Sequence, residues 1–303
     1  MERGFIMRFF GKRIVVCGLL FSQVFCGQVW ANEKNNICYQ NCVDMENSDF
    51  YTGEWKYKFT SSSGYKVMLE EGEKHTFLII NGSLSAEDII IENGRAFIEL
   101  KALCSALGLR VSENKKMMIV ENDSDVVTVN RKTLEIMKNG VALDSKGVYV
   151  NHEIYIPVRC FSTSFGASVT YSLQKIMPMG NPFINIESRD GKVSREMAVN
   201  IVKEKMQEYF QQFQLSDTYK NLISYNELGK TQMQEIMKDI NFVDETAGFW
   251  IVGGSRLFLV DKVTGIIYYK TGDAKAGHGS YIETIGKLDE TYEDLFENIL
   301  IYG

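Results

Sequence analysis

Asn93-Gly-Arg-Ala-Phe97-Ile-Glu-Leu-Lys101 and, 58 residues on, Asn151-His-Glu-Ile-Tyr155-Ile-Pro-Val-Arg159 are the stretches that decide the fold. At that single offset Asn81-Gly82 falls on Asn139-Gly140, Asn93 on Asn151, and Ile98 on Ile156. Gly108 then meets Gly166 and Val111 meets Val169, making six identities without a gap, while Phe97/Tyr155 and Lys101/Arg159 are conservative pairs. Self-similarity at a fixed period marks a repeated unit. In each unit an Asn-Gly pair supplies the positive φ of a tight turn. A second turn, Asn93-Gly94-Arg95 or Asn151-His152-Glu153, precedes a short apolar strand, Ala96–Leu100 or Ile154–Val158. A helix of about two turns follows, with Leu100, Leu103 and Leu107 on one face, and Gly108 or Gly166 stands at its C′ position. A last strand begins at Val111 or Val169. Each ββ(β)αβ unit is too small to bury its own apolar face, so two of them predict one α+β domain over roughly residues 65–188.

Downstream, the polar run Glu187–Ser194 leads to a second block, 194–303, with its own α+β pattern. Ser194 suits the N-cap of a helix over 195–213, whose Ala198, Ile201, Val202, Met206, Tyr209 and Phe213 recur at helical spacing. Thr231-Gln-Met-Gln234 has the pattern of a capping box ahead of a second helix. Strands are expected at Phe249–Val252, Leu257–Val260 and Ile266–Tyr269, the last two joined by a loop with Gly265 in the left-handed position. An acidic helix, Asp289–Ile299, closes the block. The fold class is therefore α+β, two small domains of which the first is a tandem repeat.

Upstream, Arg3, Arg8, Lys12 and Arg13 stand against the single acid Glu2, ahead of the apolar run Ile14–Phe21 and a stretch ending Val29-Trp30-Ala31. A basic segment, a short apolar segment and a small residue describe a secretory signal peptide over 1–31, cut between Ala31 and Asn32. Eight unbroken apolar residues are too few for a membrane-spanning helix, which needs roughly 20. Cys17 and Cys26 lack the small residues that precede a lipoprotein cleavage site. Removing the leader takes the formal charge from −6 to −9, which disfavours nucleic acid and anionic membrane surfaces as partners. Residues 32–64 read as a polar lead-in, with a short hairpin around Thr52-Gly53 in its Phe50–Phe59 piece.

Four cysteines follow the leader. Cys38 and Cys42 are spaced either to close a small loop by a disulfide or to stand as free thiols, and Cys104 and Cys160 fall in the predicted helices as buried unpaired cysteines.

The repeat block resembles the N-terminal domain of copper amine oxidases, also called a stalk domain, a module of exported proteins of Gram-positive bacteria. Asn93, Gly94, Gly108, Asn151, Pro157, Arg159 and Gly166 carry the resemblance as turn and strand-entry positions. Two departures stand out: Glu99 where the module has Pro, and His152-Glu153 where it has Gly-Arg. Both concern turns and strand entry, so geometry is what they put in question. The resemblance implies no oxidase activity, since that chemistry needs three histidine ligands, and His75, His152 and His278 are scattered. No cofactor or metal is expected. The second block is similar to PepSY-type and NTF2-like immunity modules at Trp250, Asp261, Thr264 and Gly265.

Groups suited to catalysis are few. Gly277-His278-Gly279-Ser280 is the one nucleophile-base pairing in sequence, and it reads as a glycine-rich loop. Gly253-Gly254-Ser255 reads as a hairpin turn rather than a phosphate cradle. Arg159 and Lys101 are placed to tether a carbonyl or carboxylate within the module. The expected protein is an extracellular or cell-envelope, non-catalytic binding or scaffold protein whose partner is an envelope protein or a cell-wall glycan. The alternative is a secreted inhibitor acting through its C-terminal domain.

Overall fold

The computed structural model describes residues 39–44, 56–61, 66–70, 75–85, 87, 89–174, 176–177, 180–223, 228–254, 256–275 and 280–302. All of them lie in one unit, Glu33–Gly303. The expected cleavage point at Ala31 and Asn32, Cys38 and the His278 loop lie outside the described residues.

Three strands come first: β1 (Tyr39–Asp44), β2 (Lys56–Ser61) and β3 (Lys66–Glu70). They fall mostly in the stretch read as a polar lead-in. Asp44 lies opposite Lys56, so β1 and β2 make the hairpin there, and Thr52-Gly53 belongs to their connection, outside the described residues. The expected hairpin piece Phe50–Phe59 overlaps β2, while β1 and β3 are not expected from the sequence.

The repeat block follows. It opens with β4 (Phe77–Ile80), β5 (Ser83–Leu84), β6 (Ile90–Glu92), β7 (Arg95–Glu99), α1 (Leu100–Ala106), β8 (Arg110–Glu113), β9 (Met117–Glu121) and β10 (Val126–Asn130). It continues with β11 (Glu135–Lys138), β12 (Val141–Lys146), β13 (Val148–Val150), β14 (Glu153–Pro157), α2 (Val158–Ser164), β15 (Ser168–Ser172) and β16 (Phe183–Glu187). β4, β5, β6, β7, α1 and β8 start 58 residues before β11, β12, β13, β14, α2 and β15 respectively. In the central sheet, ordered β13-β14-β7-β6, β7 and β14 pair antiparallel with Ile98 opposite Ile156, the residue one offset away. Equivalent strands thus meet about a local two-fold axis.

Two end sheets flank this centre, ordered β15-β16-β4-β5 and β8-β9-β10-β11-β12. In the first, β16 pairs parallel with β4. In the second, β10 is inserted between the matching strands β9 and β11. One core lies inside, built from Ile98, Leu103, Ile156 and Phe161 with Met118, Val129 and Ile136 of one end sheet and Leu78, Ile80, Ile184 and Ile186 of the other. The turn residues hold the positive φ their chemistry suggested: Asn93 +49°, Gly94 +72°, Asn151 +50°, Gly108 +69° and Gly166 +79°.

The C-terminal block contains α3 (Arg195–Phe213), α4 (Asp217–Ile223), α5 (Leu228–Lys238), β17 (Asn241–Glu245), β18 (Phe249–Gly253), β19 (Leu257–Asp261), β20 (Ile267–Lys275), β21 (Ser280–Lys287) and α6 (Leu288–Tyr302). Ser194 caps α3, its hydroxyl accepting from Met197 N–H at 3.2 Å. Thr231 falls inside α5 rather than at its cap, because that helix begins at Leu228. The sheet runs β17-β18-β19-β20-β21-β1-β2-β3, so the N-terminal strands complete the C-terminal sheet. Val252, Phe258, Val260 and Tyr269 pack beneath α3 and α6 residues such as Val202, Met206 and Phe296.

The opposite face of that sheet joins the two blocks. Phe249, Ile251, Leu259, Tyr268 and Ile285 pack with Phe77, Ile79 and Phe183 in a shared core. β4 and β16 therefore bury every residue, one face in each core. A strand covered on both sides reads as a continuous apolar run, without alternation. Polar groups fix the same seam. Asn185, fully buried, accepts from Gly248 N–H at 2.6 Å and from the Thr246 hydroxyl at 2.8 Å. Arg189 grips the buried Glu187 through two hydrogen bonds of 2.8 and 2.7 Å and reaches Asp261 at 3.4 Å. The Glu187 contact raises the Arg189 pKa above its ordinary value. A Cβ on Gly248 would stand 2.8 Å from Glu187 Oε2, so only glycine brings the backbone this close.

Candidate functional site

At the opposite pole of the module, where the central sheet meets the β8–β12 sheet, lies a shallow cleft of about 40 Å³, open to solvent. Its apolar floor is Leu100, Met118 and Ile154. The rim carries Glu99, Glu113 and Glu153 together with Lys101, Arg131, Tyr149 and His152.

Strand pairing explains how residues so far apart in sequence converge. Tyr155 lies opposite Glu99 in the β7–β14 ladder, and Glu153, two positions from Tyr155, shares that face. Glu99 also occupies the N-cap position of α1 (φ −58°, ψ 129°), yet its carboxylate makes no capping hydrogen bond. His152 comes from the β13–β14 turn, where its φ of +72° puts a branched ring in the left-handed region that Gly94 fills in the first copy. A non-glycine residue held there costs roughly 1–3 kcal/mol.

One wall is already neutralised. Glu113 lies 3.8 Å from Lys101 and 3.6 Å from Arg131, in half-exposed pairs. Arg131 also donates to the Asn114 carbonyl at 3.2 Å, and its own carbonyl accepts from the Tyr149 hydroxyl. Lys101 is thus a tether, as its position suggested. Arg159, its counterpart, is exposed and pairs with nothing among the described residues. The side chains of Glu99, Glu153 and His152 likewise have no ion pair or hydrogen bond among the described residues, and no described group of three His, Cys, Asp or Glu is arranged to hold a metal ion.

Glu99 and His152-Glu153 are the two departures from the module's pattern. In the sequence they read as matters of turn geometry; the structure brings them to the rim of one cleft. No single-chain pattern marks this, because the convergence depends on β7 pairing with β14.

The remaining expected residues have structural surroundings. Pro157 stands at the N-cap position of α2 and opposite Phe97. Cys42 lies in β1 opposite Lys58. Cys104 is a buried free thiol whose pKa burial pushes up to about 12, and Cys160 is a half-buried free thiol, also raised by burial. Gly253 and Gly254 form the β18–β19 turn. Among the described residues no helix is long and apolar enough to cross a membrane.

Residues 79–177 match the family model of the copper amine oxidase N-terminal domain. The match runs from β4 through the loop before β16, spanning the central sheet and both of its helices. No curated protein and no solved structure matches the chain.

Proposed function

We propose that this chain is an exported, cell-envelope-associated binding or scaffold protein without catalytic activity, built on a duplicated stalk-type module. The observation that carries the reading is the module match over residues 79–177, a non-catalytic domain in the oxidases that give it its name. Three features support it. The leader composition of residues 1–31 is that of a signal peptide. Element starts recur at the 58-residue offset of the sequence repeat, as a duplication requires. The C-terminal block is fixed to the module by a shared core and buried polar bonds, so the two present their surfaces as one body.

The test is cosedimentation of the full chain, freed of residues 1–31, with purified cell-wall sacculi and with envelope membranes. Retention on either supports the reading and names the partner as glycan or envelope protein. A chain that stays in solution while stoichiometrically inhibiting one secreted enzyme replaces it with the inhibitor reading.

A further inference from the structure

The four described sheets end on eight strands, and most of these edges are poorly suited to further pairing. β5, β6 and β13 are two or three residues long. β17 bulges against β18, and β12 against β11, which breaks the even spacing that a new strand needs. β15 is tied to the β17–β18 turn, its Thr170 hydroxyl accepting from Ala247 N–H at 2.8 Å. β8 has four residues, and the charges at its two ends are taken: Arg110 by Glu121 and Asp123, Glu113 by Lys101 and Arg131. β3 differs on each count. Its five residues follow β2 in unbroken register, from Lys66 opposite Thr60 to Glu70 opposite Lys56, and among the described residues β2 is its one partner strand. It contains neither Pro nor Gly. An edge of that kind offers another strand a regular row of backbone donors and acceptors.

The residues of β3 say which strand fits it. Lys66-Val67-Met68-Leu69-Glu70 sets three apolar residues between two opposite charges. We propose that β3 is the contact through which two copies of this chain associate, by antiparallel pairing about a two-fold axis through Met68. Met68 then faces Met68 of the second copy, Val67 faces Leu69, and Lys66 faces Glu70 at both ends. An axis perpendicular to the sheet keeps each face on its own side, and every facing pair here is an even number of residues apart, so like faces meet. β8 fails this condition, because Arg110 and Glu113 are three apart and belong to opposite faces. Within its own chain Glu70 already lies opposite Lys56, so pairing places it between two lysines. Opposite charges and apolar residues directly across an antiparallel pair each add a modest stabilisation. Five residues a side bury less than a permanent dimer needs, so the association depends on concentration.

Sedimentation equilibrium of the full chain, freed of residues 1–31, is expected to show a monomer–dimer equilibrium. Lys66→Glu sets a carboxylate against Glu70 at both ends of the pair, while its neighbour within the chain is only Thr60. It weakens the dimer about tenfold and leaves the unfolding temperature of the monomer unchanged. Cysteine substitution reads the register. Residues facing each other have Cα atoms about 4.5–5.5 Å apart, a separation that a disulfide spans. Met68→Cys, oxidised in air, therefore gives a dimer linked through position 68, located by peptide mapping. The two copies of position 67 lie on a diagonal about 7–8 Å long, and Val67→Cys does not link. A chain that stays monomeric at millimolar concentration overturns the proposal and leaves the edge to a strand of another protein. A dimer indifferent to Lys66→Glu, a dimer that Met68→Cys fails to link, or equal linking at positions 67 and 68 overturns it too, since the copies then meet elsewhere or in another register. Retention on sacculi or membranes is open to a monomer, so the two experiments fail separately.

Discussion

The two poles of the module start from one plan and end differently. At one, the β15-β16-β4-β5 sheet turns Phe77, Ile79 and Phe183 outward into a core shared with the C-terminal sheet. At the other, β10 widens the sheet, and the positions matching Phe77 and Ile79 are Glu135 and Met137, the first exposed and the second half-exposed. The inner faces hardly differ, since Leu78 and Ile136 occupy the same core. Both halves fill one core, which constrains the interior, while the two ends are free to differ. One end is an interface and the other is open beside the cleft.

The sharpest test of that contrast is a matched pair of truncations. Ile79→Ala removes a fully buried side chain from the shared core and should cost about 2–5 kcal/mol in denaturant unfolding. Met137→Ala, at the matching position of the open pole, should cost less than about 1 kcal/mol. Comparable losses at the two sites would mean that the open pole is also covered in solution.

The ionic groups divide the same way. Glu187→Gln weakens the grip on Arg189 at a position only 4% exposed, and a loss of about 2 kcal/mol is expected. The Arg189 side chain is itself 31% exposed, and water on that flank keeps the loss below that of a fully buried pair. Glu113→Gln breaks two longer pairs whose side chains are 41–54% exposed, and thermal unfolding should move by no more than the equivalent of about 0.5 kcal/mol. A large effect at Glu113 would mark the cleft wall as structural.

How much of this the sequence could reveal depends on how local each cause is. Ser194 and α3 were legible because a cap and a nineteen-residue amphipathic period lie within one segment. So were the turns at Asn93-Gly94 and Gly265, whose φ values of +49°, +72° and +75° follow from residue type. β1 was not, because it is specified by its partner β21, more than two hundred residues away. β17 was missed for a related reason: Asn-Phe-Val-Asp-Glu alternates only weakly and pairs through a bulge between Phe242 and Asp244. The cleft needed two separate departures to be seen on one face, which only the β7–β14 register shows.

The one stabilising change expected concerns a buried position where the two halves differ by a single atom type. Cys104 in α1 corresponds at the 58-residue offset to Ser162 in α2, and both are fully buried. The thiol suits that place. Burial holds its pKa at about 12, so Cys104 stays neutral, and its contribution is complete below the ordinary thiol value near 8.5. The folded form binds the proton more tightly, so that stability is lost as pH rises from about 9 toward 12. At pH 8 a thiol reagent should therefore modify the half-buried Cys160 first and reach Cys104 only on unfolding, which peptide mapping by mass spectrometry resolves. The hydroxyl suits its place less well. Ser162 Oγ has no hydrogen-bond partner, and a buried polar atom left unpaired is destabilising. Ser162→Ala and Ser162→Cys should each raise stability by about 1 kcal/mol, the second by restoring the residue of the other copy. A loss instead would mean that an ordered water or a backbone carbonyl holds the hydroxyl, and that α2 differs from α1 in more than sequence.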